Sequence, residues 1–75
     1  MTITITATIQ GEPENLRDAC LCAVRFASTQ RFSGNRLELG YICETDDQEM
    51  ALTQVLESID LEQVERCSCE LVSIG

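Results

Sequence analysis

Residues 2–9 read Thr-Ile-Thr-Ile-Thr-Ala-Thr-Ile, a strict alternation of threonine with apolar residues. Side chains of an extended chain point alternately to two faces, so this stretch predicts a half-buried β-strand. Its buried face would carry Ile3, Ile5, Ala7 and Ile9. The first strand of a sheet is therefore predicted at the N-terminus.

A helix is predicted after this strand. Pro13 suits the first turn of a helix because its missing N–H would have no intrahelical partner there. Apolar residues then recur at three- and four-residue spacing, as on one face of a helix: Leu16, Ala19, Cys20, Ala23, Val24 and Ala27. The Ser-Gly-Asn turn at residues 33–35 ends this helix before Gly34.

The second half of the chain predicts two more strands and a second helix. Residues 37–44 alternate, and so do residues 64–74, where Cys67, Cys69 and Leu71 share one face. Between them, Thr45 is expected to cap a helix. The predicted inner face of that helix consists of Gln48, Leu52, Val55, Leu56 and Ile59.

The predicted fold class is therefore α+β, or a small α/β fold, formed by residues 1–75 as a single domain. Its order is βαβαβ: two layers, in which a three-stranded sheet carries both helices on one face. The other sheet face would be open and polar, which favours at least one antiparallel strand pair.

Part of the sequence is similar to a known family. The stretch from Gly34 to Asp47, with Leu37-Glu38-Leu39 leading to Asp46-Asp47, resembles the small TusA-type sulfur-carrier domains. The resemblance implies the same two-layer βαβαβ architecture. In that family a Cys-Pro-x-Pro motif opens the first helix and carries a persulfide, whereas this chain has Gly11-Glu12-Pro13-Glu14. The resemblance thus implies an architecture and not sulfur transfer.

The composition excludes several classes of enzyme. The chain has no histidine and no lysine, so it lacks the residues for a Ser-His or Cys-His pair, a Schiff base or a P-loop. The acids at Glu44, Asp46, Asp47 and Glu49 do not have the spacing of a calcium loop, and helix capping explains most of them. We predict no enzymatic activity, no catalytic residue, no cofactor and no metal site.

Five cysteines without an export signal predict free thiols. Residues two apart on a helix point in different directions, so Cys20 and Cys22 are not expected to chelate one ion. We interpret four cysteines as core residues: Cys20, Cys43, Cys67 and Cys69. Cys22, on the outer helix face beside Arg25, is the one candidate reactive thiol.

Charge is distributed unevenly along the chain. Residues 1–36 hold four arginines and three acids, a net charge of +1, whereas residues 37–75 hold ten acids and only Arg66, a net charge of −9. Such a field repels phosphates and lipid surfaces and favours encounters with basic protein surfaces. We expect neither direct nucleic-acid binding nor membrane binding.

The sequence therefore predicts a small acidic, non-enzymatic module that docks on a basic surface of a protein partner. That surface includes the case of a groove where the partner holds nucleic acid. By analogy of class, phages and mobile elements use such chains as anti-defence inhibitors, among them anti-CRISPR proteins and nucleic-acid mimics. The candidate partner-binding residues on the open sheet face are Glu38, Glu44 and Glu70. The others are Asp46, Asp47, Glu49, Glu57, Glu62 and Glu65.

Two alternatives belong to other functional classes. One is a homo-oligomeric structural domain, such as a homodimer, in which the threonine-rich strand or an open sheet edge pairs with a second copy. The other is a thiol or sulfur-carrier-like domain that uses Cys22. Without a long apolar segment or a signal peptide, the expected location is the cytoplasm of a bacterium, or of the host cell for a phage-encoded chain.

Overall fold

The threonine-rich strand lies inside a four-stranded sheet, with neighbours on both sides, in this computed structural model of residues 1–75. The strands are β1 (Thr2–Gln10), β2 (Thr29–Ser33), β3 (Arg36–Glu44) and β4 (Arg66–Ile74). The helices are α1 (Pro13–Ala19), α2 (Leu21–Phe26) and α3 (Gln48–Glu57), followed by a 3-10 turn at Leu61–Gln63.

The strand order is β2-β3-β1-β4, and every neighbouring pair is antiparallel. With a helical segment between β1 and β2 and another between β3 and β4, this is the connectivity of the ferredoxin-like, split β-α-β motif. α3 packs on β1 and β4, and α2 packs on β3. The helices thus cover one face of the sheet and leave the other face open.

The predicted three-stranded βαβαβ arrangement with two helices is wrong, because the structure has four strands and three helices. The predicted first helix breaks at Cys20, whose φ of −109° and ψ of 14° are not helical, and it ends at Phe26. Thr29–Ser33 then forms β2, an edge strand whose five residues are all exposed. A strand without a buried face has no alternation of apolar and polar residues, so periodicity could not reveal it. The βαβαβ architecture implied by the sulfur-carrier resemblance is wrong for the same reason.

A tight turn joins β2 to β3. Gly34 has a φ of +62°, the only positive φ in the chain, and Asn35 completes a two-residue loop. A positive φ at the first central position is typical of a type II′ hairpin turn, where glycine avoids the strain of a Cβ. The turn residues expected to end a helix therefore form a hairpin.

The core lies between the sheet and the helices. The alternation predicted for β1 is confirmed, since Ile3, Ile5, Ala7 and Ile9 are fully buried. Cys20 is buried as well. Three more cysteines are partly buried and pack against this core: Cys43, Cys67 and Cys69.

Helix α3 begins later than predicted. Its N-cap is Asp47, whose Oδ1 accepts a hydrogen bond from the Met50 N–H at 3.0 Å, and Thr45 Oγ1 instead accepts from the Asp47 N–H at 3.2 Å. Gln48 is thus the first helical residue and is exposed, and Ala51 is buried, contrary to the predicted inner face.

The last strand also differs from its prediction. It starts at Arg66 rather than Val64, and a bulge interrupts its pairing with β1 between Thr4 and Ile5. No helix of the structure combines the length and the apolar composition needed to cross a lipid bilayer.

Candidate functional site

A small groove lies where α3 ends and the 3-10 turn begins. Its volume is about 400 Å³. The residues that line it are Thr53, Leu56, Glu57, Ile59, Asp60, Leu61 and Glu62. We call it the acidic groove, because three carboxylates surround a floor of Leu56, Ile59 and Leu61.

Local sequence explains why the chain turns at this point. The Ser58 hydroxyl donates to the Val55 carbonyl at 2.6 Å and helps to close the last turn of α3. Asp60 then caps the 3-10 turn: its Oδ1 accepts from the Glu62 N–H at 3.2 Å, and its Oδ2 accepts from Gln63 Nε2 at 2.6 Å. The turn is also held to the helical layer, since the Asp60 N–H donates to the Ala19 carbonyl at 3.0 Å.

The electrostatic field of the acidic groove favours a cation. The C-terminal end of a helix carries a partial negative charge from its free carbonyls, and the last turn of α3 contains no basic residue. Glu57 and Glu62 add two full negative charges and form neither a hydrogen bond through their side chains nor an ion pair. No arginine occurs between Arg36 and Arg66 to neutralise them.

The apolar floor adds a second property to the acidic groove. Leu61 is 51% exposed, and Ile59, which also lines the groove, is buried. Arginine and lysine have long apolar stems below their charged ends, and such stems pack on apolar surfaces. The groove therefore suits the side chain of an arginine or a lysine.

The nine candidate acids do not form one surface. Glu38, Glu44 and Glu70 lie on the open sheet face, where β3 and β1 set Glu38 beside Thr8 and Glu44 beside Thr2. Arg31 lies directly opposite Glu38 on β2, and Arg36 Nε is 3.4 Å from Glu38 Oε1. With Arg31, Arg36 and Arg66 on this face against three glutamates, the open sheet face has no net charge. It is not the acidic surface that the sequence predicted.

The acids around the start of α3 are structural. Asp47 is the N-cap, and Glu49 lies in the first turn, where the positive end of the helix dipole attracts carboxylates. Asp46 Oδ1 is 3.4 Å from the N-terminal ammonium group of Met1. Glu65 is exposed before β4, and its N–H donates to the Gln10 carbonyl at 2.8 Å.

Of the predicted acids, the structure thus brings only Glu57 and Glu62 together at a groove, and sequence reasoning missed their neighbours Asp60 and Leu61. A signal was present in the sequence. Asp60 followed three residues later by Gln63 is the spacing of a helix-capping pair, which predicts a short helical turn there.

The thiols are mostly core residues. Burial raises the pKa of the Cys20 thiol and of the Cys67 thiol. Burial, with Cys67 beside it, raises the pKa of Cys69 to about 11. Such thiols stay protonated and unreactive near neutral pH. Cys22 lies exposed on α2, and no three Cys, Asp or Glu side chains are arranged to hold a metal ion.

Comparisons with protein-family models, with curated proteins and with solved structures found no match to this chain.

Proposed function

We propose that this chain is a non-enzymatic binding module that docks on a basic surface of a partner protein through the acidic groove. The observation that carries the proposal is the combination of an apolar floor with Glu57 and Glu62, neither of which has a partner within the chain. An arginine or lysine of the partner would place its stem on Leu61 and its charge between the two carboxylates.

A partner surface that normally holds nucleic acid fits this proposal well. Such surfaces carry clustered arginine and lysine to contact phosphates, and an acidic protein competes with nucleic acid for the same residues. Inhibition of a nucleic-acid-binding protein is therefore the activity that we propose for the module.

The experiment is affinity capture from extract of the native host with the immobilised chain. The wild type is compared with Glu57→Gln/Glu62→Gln and with Glu44→Gln/Glu70→Gln, two variants that lose the same charge from different surfaces. We expect a partner to be retained by the wild type and by the sheet-face variant and lost by the groove variant. Retention should fall as salt rises from about 0.05 to 0.5 M, because screening weakens exposed charge pairs.

Equal loss of the partner in both variants would contradict the proposal, since net charge alone would then determine retention. Retention that does not change with salt would contradict its electrostatic basis.

A further inference from the structure

A second, larger groove lies at the opposite edge of the sheet, between α1 and α2 on one side and β2 on the other. Its volume is about 920 Å³. We call it the aromatic groove; its lining includes Arg17, Leu21, Arg25, Gln30 and Phe32.

The apolar residues of this region are unusually exposed. Phe32, which lines the groove, is 55% exposed. Leu21 is 61% exposed. Large apolar side chains grouped on a surface are typical of binding sites.

The strand beside the aromatic groove has an open edge. β2 pairs with β3 on one side only. Counted from the two-residue turn, Ser33 and Arg36 form a hydrogen-bonded pair, so Phe32 and Gln30 occupy the alternate positions, with N–H and C=O directed away from β3. Their side chains lie on the helix side of the sheet, since Phe32 pairs with Leu37. An added strand would bond to this edge and direct alternate side chains into the groove.

The α2 side of the aromatic groove carries a positive charge. The charged residues that line the groove are Glu14, Arg17 and Asp18 on α1 and Arg25 on α2, so the lining as a whole has no net charge. Neither of the two ion pairs in the structure includes Arg17 or Arg25. β2 contributes the uncharged Gln30 and Phe32, and Arg17 on the α1 wall lies between Glu14 and Asp18 in sequence, so the positive charge of the groove is that of Arg25 on α2.

A second copy of the chain fits this edge poorly. Antiparallel pairing of two β2 strands in full register sets Arg31 opposite Arg31 of the other copy, and like charges directly opposite each other destabilise a strand pair. Each copy also carries a net charge of −8, which adds repulsion.

We propose that β2 and the aromatic groove bind an extended segment of another protein as a fifth strand. The segment carries apolar side chains at alternate positions, which enter the groove, and a carboxylate that pairs with Arg25. Backbone bonds to Gln30 and Phe32 supply affinity, as in other cases of strand addition, and the side-chain pattern supplies specificity. The aromatic groove shares no lining residue with the acidic groove.

The test uses fluorescein-labelled peptides and fluorescence anisotropy. The probe is acetyl-Glu-Thr-Val-Thr-Val-Thr-Glu-amide, in which the glutamates share a face with the valines that enter the groove; one control peptide has glutamine at both ends, and a second has proline in place of one valine. We expect the probe to bind about tenfold more tightly than the glutamine peptide, and the proline peptide not to bind, because proline removes a backbone donor.

Matched protein variants locate the site. Arg25→Gln should remove the preference for the glutamate peptide over the glutamine peptide, whereas Arg66→Gln, the same charge change on β4, should leave the preference intact. Phe32→Thr, which keeps a good strand former, should weaken both peptides.

Four results would overturn the proposal. The first is absence of binding by the probe at about 1 mM. The second is equal affinity for the glutamate and glutamine peptides, and the third is equal effects of Arg25→Gln and Arg66→Gln. The last is a dimer, detected by sedimentation, that Phe32→Thr dissociates, because it would assign the groove to a second copy.

Discussion

At the scale of single residues, Tyr41 links the sheet to the helices. Its hydroxyl donates a buried hydrogen bond of 2.8 Å to the Ala23 carbonyl of α2. The Ala27 N–H, which would bond to this carbonyl in a longer helix, donates to Val24 instead. Tyr41 thus satisfies a carbonyl that the end of α2 leaves free.

The first prediction removes this bond. Tyr41→Phe should lower the free energy of unfolding by about 1 to 2 kcal/mol, because the variant leaves the Ala23 carbonyl buried and without a partner. Urea denaturation followed by circular dichroism measures the change, with Thr53→Val on the exposed face of α3 as the control. A loss well below about 0.5 kcal/mol would mean that water replaces the hydroxyl.

The second prediction concerns alkaline pH. Burial raises the pKa of Tyr41 to about 12 and that of Cys69 to about 11, from ordinary values of 10 and 9. Between each ordinary value and its raised value, the folded state keeps a proton that the unfolded chain loses, so stability is complete below pH 9 and falls as pH rises above it.

Urea midpoints measured with reductant at pH 7.5, 9.5 and 10.5 should therefore decrease in that order. The slope per group is at most about 1.4 kcal/mol for each pH unit. Cys69→Ala should lessen the decrease between pH 9.5 and 10.5. A midpoint that does not change over this range would contradict the assigned burial of these groups.

The burial of the cysteines could be predicted from the sequence, because Cys67 and Cys69 alternate with polar residues on β4 and Cys20 follows the apolar spacing of α1. The position of Glu57 and Glu62 beside the apolar floor of the acidic groove could not be predicted from the sequence. Their distance from an apolar floor depends on the 3-10 turn, and the turn is held by a contact between Asp60 and Ala19 that joins distant parts of the chain.

At the scale of elements, β2 is where prediction from the sequence failed. The long strands β1 and β3 were predictable, since each has one buried and one open face. β2 lies at the edge, and all five of its residues are exposed, so burial does not select apolar residues at alternate positions. The position of a strand in the sheet depends on pairing between segments that are distant in sequence. That position therefore decides whether the strand can be predicted from the sequence.

The third prediction tests the pairing of β2 with β3. Gly40 lies opposite Thr29, and a Cβ at residue 40 would collide with the Thr29 hydroxyl oxygen. Gly40→Ala should destabilise the protein by about 1 kcal/mol, and Thr29→Ala in the same background should restore most of the loss. The coupling energy of the double-mutant cycle measures this contact.

Independent effects of the two substitutions would contradict the pairing, because residues that do not touch usually give additive changes. The single variant Thr29→Ala is the control for the intrinsic effect of that substitution on an exposed edge strand.

At the scale of the whole molecule, the fold brings arginines of the first half of the chain beside acids of the second half. The open sheet face therefore has balanced charge, whereas the end of α3 is acidic without compensation. The excess of acids in the second half could be read from the sequence. How these acids divide among helix capping, ion pairing and the acidic groove could not, because it depends on the folded structure. Strand register, for example, places Arg31 and Arg36 beside Glu38.

The binding role of the acidic groove is the central claim, and NMR tests it most directly. The ¹⁵N-labelled protein is titrated with acetyl-Ala-Arg-Ala-Leu-Arg-Ala-amide at about 0.05 M salt, together with Glu57→Gln/Glu62→Gln and the charge-matched Glu44→Gln/Glu70→Gln. We predict that the largest shifts occur in residues 53–62 and that only the groove variant loses most of the affinity. Shifts of similar size over the open sheet face, with equal loss of affinity in both variants, would contradict the claim.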